Sequence, residues 1–153
     1  MQHTLVIIHS LVRWLILLFG IWAVIRAFIG VSGKSAYGAS DAKAGLFFMI
    51  FLDIQMLLGI LLLFVSSMVN FSDMGVTMKT PHLRFFTVEH TIMAIIAIAL
   101  VHIGRGKIKK LTDDAKKHRT ALIFFGLALI VILALIPWPF REALGHRSWF
   151  PQF

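Results

Sequence analysis

Seven histidines and no cysteine set the chemistry open to this 153-residue chain. Without cysteine, disulfides, thiolate zinc sites and iron–sulfur clusters are excluded, and so is covalent c-type haem, which needs a Cys-x-x-Cys-His run. Any metal or cofactor rests on His, Met, carboxylates or the backbone. Six ionisable residues fall within strongly apolar stretches: His9, Arg13, Asp53, Glu89, His90 and His102, with the polar Gln55 among them. Ionisable groups in hydrocarbon are costly, and they serve a site or pair with one another.

His9 and His90 carry the most chemistry. His9 lies about 4 residues below the end of its apolar stretch, roughly 6 Å at 1.5 Å per residue. His90 lies about 7 residues below the corresponding end of its own, roughly 10 Å. Two imidazoles facing each other at comparable depth across a helix bundle are what six-coordinate b-type haem requires. Ala94 and Ala97, at i+4 and i+7 from His90, keep that face small, and Gly20 leaves similar room on the stretch that carries His9. Arg13, one turn from His9, would pair a haem propionate. Asp53, Gln55 or Glu89 would hold an imidazole Nδ1–H. The plainer reading is a buried polar network that holds the helices in register, each hydrogen bond contributing about 0.6 kcal/mol.

Two further groupings compete. His102 and His118 are candidates for a second haem, although His118 sits within Asp-Asp-Ala-Lys-Lys-His-Arg and reads as a solvated surface residue. Met68, Met74, Met78 and His82, joined by His3, offer thioether and imidazole ligands suited to Cu(I), without a tight motif. Gly30-Val31-Ser32-Gly33-Lys34-Ser35 ends like a phosphate loop but lacks its full spacing and its strand. No Ser-His-Asp arrangement, acid/base carboxylate pair or zinc-protease motif is visible.

The elements that position these residues follow from composition. Apolar types make up 59% of the chain and charged types 14%, against roughly 25% charged in soluble proteins. So few charges cannot coat a small soluble fold, which makes hydrocarbon the expected solvent. Four stretches reach the roughly 20 residues that a span needs, at about 5–29, 44–67, 83–104 and 120–136. The expectation is a single transmembrane domain over 1–153, an all-α four-helix bundle. Pro137 and Pro139 stop the last span. The first span follows no basic n-region and runs past signal-peptide length, so it is expected to remain uncleaved.

Seven of fifteen Lys/Arg residues fall in the 105–119 connector: Arg105, Lys107, Lys109, Lys110, Lys116, Lys117 and Arg119. With Arg26, Lys34 and Lys43 they outnumber Lys79, Arg84, Arg141 and Arg147 on the other side. The positive-inside rule then puts the basic side in the cytoplasm and both termini outside, in the periplasm of a bacterial inner membrane. Charge arranged this way, with no groove-reading motif, argues against nucleic-acid binding. The aromatic and basic tail, 137–153, reads as an interfacial anchor on the outer face, with a partner-docking surface as the sharper alternative.

Three segments carry a resemblance to a known family: His9-Ser10-Leu11-Val12-Arg13-Trp14, Phe86-Thr87-Val88-Glu89-His90-Thr91-Ile92-Met93, and Ile136-Pro137-Trp138-Pro139-Phe140-Arg141. Over nearly its whole length the chain resembles small four-helix bacterial membrane proteins labelled cytochrome b-like, loosely of the cytochrome b561 type. The resemblance implies haem b and electron transfer, with quinone and a redox partner or larger membrane complex as partners. Cytochrome b561-type proteins usually hold two haems on four histidines, whereas this chain offers two intramembrane candidates on one side and one on the other. One haem is therefore expected and two is the alternative. An electron carrier or a subunit of an oxidoreductase complex is expected rather than a stand-alone enzyme. The rival is a non-haem scaffold or transport subunit built on Asp53, Glu89, Arg13 and Gln55.

Overall fold

The computed structural model describes residues 1–144 and 149–150. Four helices in it are long and apolar enough to cross a membrane. They are α1 (Gln2–Gly33), α2 (Ala39–Val65), α4 (Pro81–Lys110) and α5 (Asp114–Leu135), with a six-residue α3 (Met74–Lys79) between the second and third. No strand occurs among the described residues. Arg147, and the tail positions 145–148 and 151–153, lie outside them.

The helices outrun the apolar stretches that predict them. The Gly/Ser-rich connector expected over 30–43 shrinks to a short turn, and α1 ends where Lys34 takes a left-handed conformation at φ 49°. A residue in that conformation cannot continue the helix. At the start of α2, the Asp41 carboxylate accepts the Gly38 backbone N–H at 2.8 Å and Arg26 Nε at 2.9 Å. The 105–119 connector is mostly helix: α4 continues through Lys110, and Asp113 starts α5 by accepting the Lys116 amide at 2.8 Å. Lys and Arg are good helix formers with long apolar stems, so a basic run at a membrane edge need not unwind.

The core forms where α1, α2, α4 and α5 press together around Phe48 and Phe125, whose rings meet edge to face at 6.0 Å. Small residues admit these rings. A Cβ on Gly20 would fall 2.9 Å from Phe48, one on Gly45 2.9 Å from Phe125, and one on Gly104 2.6 Å from Phe124. Close packing of this kind drives helix association in lipid, where burying apolar surface gains little. Gly20 therefore serves the Phe48 contact, contrary to the expectation that it makes room beside the histidines.

His118 also departs from expectation. It is fully buried, against Gly30 of α1 and with its ring 5.0 Å from that of Tyr37. Its charged neighbours in sequence occupy the other faces of α5, while His118 continues the buried line of Ala121, Phe125, Ala128 and Ile132.

At the opposite end, Pro137 removes the next amide and leaves the last carbonyls of α5 open. Each finds a donor. Ile136 N–H donates to Ile132, the Trp138 indole to Leu133 at 2.8 Å, the Arg141 guanidinium to Ala134 at 3.0 Å, and the His90 imidazole to Leu135 at 3.0 Å. The described tail residues thus fold onto the bundle end. Trp149 accepts a hydrogen bond from Arg13 at 2.9 Å through its carbonyl, and Phe150 stacks on Trp14 at 5.3 Å.

Candidate functional site

The structure brings His9 and His90 together, with ring centroids 6.2 Å apart and planes inclined at 49°. His9 comes from the second turn of α1. His90 comes directly after a π-helical turn, Phe85–Glu89, inside α4. A π-turn carries one extra residue, so it rotates the residues beyond it by about 100° against a continuous α-helix. Adjacent helical residues diverge by about 100° in any case, and the Glu89 carboxylate pairs with Arg84 at 2.7 Å and not with an imidazole.

Both rings line a cavity of about 510 Å³ within the half of the bundle that holds Gln2 and Pro137. Its walls include Arg13, Gln55, Gly59, Ala94 and Ala97, and its end is closed by the 66–69 segment of the α2–α4 loop. Polar ties fix that loop. Asn70 donates its amide to Thr87 Oγ1 at 3.1 Å and takes the Thr77 hydroxyl on its carbonyl at 2.7 Å, with Thr77 fully buried. The volume lies within the roughly 300–1,000 Å³ of small-molecule and cofactor sites.

The hydrogen bonds around the rings are asymmetric. His90 Nδ1 donates to the Leu135 carbonyl, which leaves Nε2 as the unprotonated nitrogen, the form that binds a metal. His9 Nδ1 is buried without a partner, as are Gln55 Oε1 and Arg13 Nε. Neither Nε2 has a hydrogen-bond partner among the described residues. Arg13 has no carboxylate partner there either.

The remaining candidates go elsewhere. Asp53 accepts a hydrogen bond from His102 Nε2 at 3.0 Å, in a pair that bridges α2 and α4 and is about two-fifths exposed on the bundle surface. Arg13 and Gln55 share the cavity wall, whereas Asp53 and Glu89 pair elsewhere, so the four do not form one network. His102 and His118 do not share a site, and neither lines the cavity. Of the methionines, Met68 faces the cavity while Met74 and Met78 stand exposed on α3. Among the described residues, no group of three or more His or carboxylate side chains is placed to hold a metal ion.

Sequence reasoning missed Gly59 and Leu135. Gly59 follows Gln55 at i+4, so the two share a face, and that spacing is the signal that could have found it. Leu135 acts through its backbone, and the only hint of it is Pro137, which leaves helix carbonyls open. Compared with family models, with curated proteins and with solved structures, the chain matches none.

Proposed function

We propose that this chain is a multi-pass protein of a bacterial inner membrane that carries one b-type haem between His9 and His90 and serves electron transfer. It would work alone or as the haem-bearing subunit of a quinone-linked respiratory complex. One observation carries the reading: the 6.2 Å separation of the two rings at the wall of a cofactor-sized cavity. Two imidazoles on one metal, each with a metal–nitrogen bond of about 2.0–2.1 Å, have ring centres about 6.3 Å apart. A polar cluster that only held helices in register would not need this spacing, nor a free Nε2 on each ring.

The other residues fit the group. Arg13 is a cation at the cavity wall with no carboxylate partner among the described residues and would hold a propionate. Gln55 offers an unpaired buried oxygen, and Gly59, Ala94 and Ala97 keep the walls low. The Leu135 carbonyl fixes the tautomer and orientation of His90. Bound there, haem b would supply one-electron transfer, and the apolar walls with the two imidazoles that hold it would set its potential. A second haem on His102 and His118 has no comparable support. The basic bundle end would face the cytoplasm, which puts the cavity and both termini on the periplasmic side.

A scaffold or transport role is the second reading, favoured by the Asp53–His102 pair between α2 and α4. A dithionite-reduced minus air-oxidised spectrum of the purified protein, with a pyridine haemochrome count, separates the two. The haem reading expects a sharp α-band and about one haem per chain. His9→Ala and His90→Ala should each abolish the band, while His118→Ala and His102→Ala keep it. Colourless protein from a haem-replete host would overturn this reading in favour of the second.

A further inference from the structure

The bundle end away from the histidine cavity holds a second concave site, independent of the haem reading. There α4 runs out in basic residues, and α5 starts with more after the short 111–113 turn. Arg105, Lys109 and Lys117 line a pocket of about 240 Å³ together with Tyr37, Ile108 and Leu111. Arg105 lies about five residues from the end of α4 and Lys117 about three from the start of α5, within roughly 8 Å of the helix ends. That is the depth of lipid headgroups when the two helices span a bilayer.

The charges in this pocket are under-compensated. Arg105 Nη1 donates to the Ala42 carbonyl at 3.2 Å, but its Nε is buried without a partner, and it has no carboxylate among the described residues. Lys109 has no ion pair there. Lys117 reaches Asp114 at 3.2 Å and lies over the Tyr37 ring at 5.6 Å. Asp41 is already engaged by Arg26 and the Gly38 amide, and Asp113 of the turn caps the Lys116 amide at 2.8 Å. Among the described residues, Lys117 is thus the one pocket cation of the three with an ion pair. A guanidinium fork flanked by two ammonium groups matches the oxygens of a phosphate, and Ile108 and Leu111 supply an apolar wall beside it.

We propose that this pocket binds the phosphate of an anionic phospholipid headgroup. Basic pockets between membrane helices hold such headgroups, and a free phosphate would leave the apolar wall unused. The attraction of a lysine or arginine to an anionic surface falls off within a Debye length, so the pocket residues should matter far more than their neighbours along the same helices.

The full chain is purified in detergent, exchanged into nanodiscs of phosphatidylcholine with or without phosphatidylglycerol, and the lipid retained is counted by native mass spectrometry. One phosphatidylglycerol per chain should be retained in preference to phosphatidylcholine. Arg105→Gln and Lys117→Gln should each weaken that retention by about tenfold. Lys110→Gln and Lys116→Gln remove the same charge outside the pocket and should change it by less than about twofold. Equal losses in all four variants would overturn the site in favour of diffuse surface charge. Displacement of the lipid by inorganic phosphate at millimolar concentration would overturn the lipid assignment in favour of a free anion. Arg105→Lys should recover part of the retention, and if Arg105→Gln fails to fold, Lys109→Gln in the folded protein decides the question.

Discussion

Gly59 separates the cavity from the fold more cleanly than the histidines do. A Cβ there would meet only His9 Cε1, at 3.7 Å, an ordinary van der Waals contact. Gly59→Ala should therefore be accommodated without displacing His9. It removes the conformational cost of a mid-helix glycine, about 0.5–1 kcal/mol, so the melting temperature should rise by roughly 1–4 °C. Gly59→Phe places an aromatic ring, which covers about 150–250 Å² when buried, beside His9 on the cavity wall. The polypeptide has room for that ring, but a cofactor ligated by His9 does not. Haem per chain should fall at least tenfold, a loss of about 1.4 kcal/mol or more in binding, while unfolding of the cofactor-free chain stays within a few degrees of the parent. The assays are a haemochrome count and thermal unfolding followed by tryptophan fluorescence. Gly59→Phe protein with a full haem complement and an unchanged spectrum would show that the cofactor lies elsewhere. A lowered melting temperature for Gly59→Ala would refute the contact geometry itself.

Gly30→Ala should do the reverse of Gly59→Ala. Its Cβ would fall within the His118 ring, which is fully buried and cannot retreat, so overpacking should cost about 1–3 kcal/mol and outweigh the gain from losing the glycine. Adding His118→Ala in that background should recover most of the loss in a double-mutant cycle, and strictly additive effects would contradict the contact. Tyr37 is the only tyrosine, so its ionisation can be followed directly in the near ultraviolet. Burial, and then the charge of Asp41, push its phenol above the usual range, with Arg105 opposing them. Because the folded value is raised, its contribution to stability is full below the ordinary phenol pKa of about 10 and is lost as pH climbs through the folded value. Tyr37→Phe should remove that part of the alkaline destabilisation, and titration of Tyr37 at the value of free tyrosine would count against its burial.

Hydropathy alone locates the four spans, because lipid demands long apolar helices and this chain has four such runs. Their ends are less legible. Lys107, Lys109 and Lys110 look like loop, yet they lie on α4, since a lysine-rich segment loses nothing by staying helical at a membrane edge. The depth argument that pairs His9 with His90 uses only helix rise, which the folded helices keep, and their rings do meet. Glu89 fails as an imidazole partner because Arg84, five residues earlier across the π-turn, takes its carboxylate. His118 is misread when composition is averaged over Asp-Asp-Ala-Lys-Lys-His-Arg. The i, i+3, i+7 spacing from His118 to Ala121 and Phe125 holds the better signal, and it needs Gly30 on α1 to make room for the ring.

The closure of the α5 end by side chains has a consequence for biosynthesis. Both cavity histidines emerge from the ribosome before α5 exists. The carbonyl that orients His90, together with the indole and guanidinium that occupy its neighbours, arrives only with Leu135, Trp138 and Arg141. Until then the His90 ring is free to rotate and to protonate at either nitrogen. A chain interrupted after Lys110 would carry both imidazoles but not the arrangement that presents them. Completion of the last helix is therefore what fixes the His90 ring, because its Nδ1 acceptor comes from Leu135.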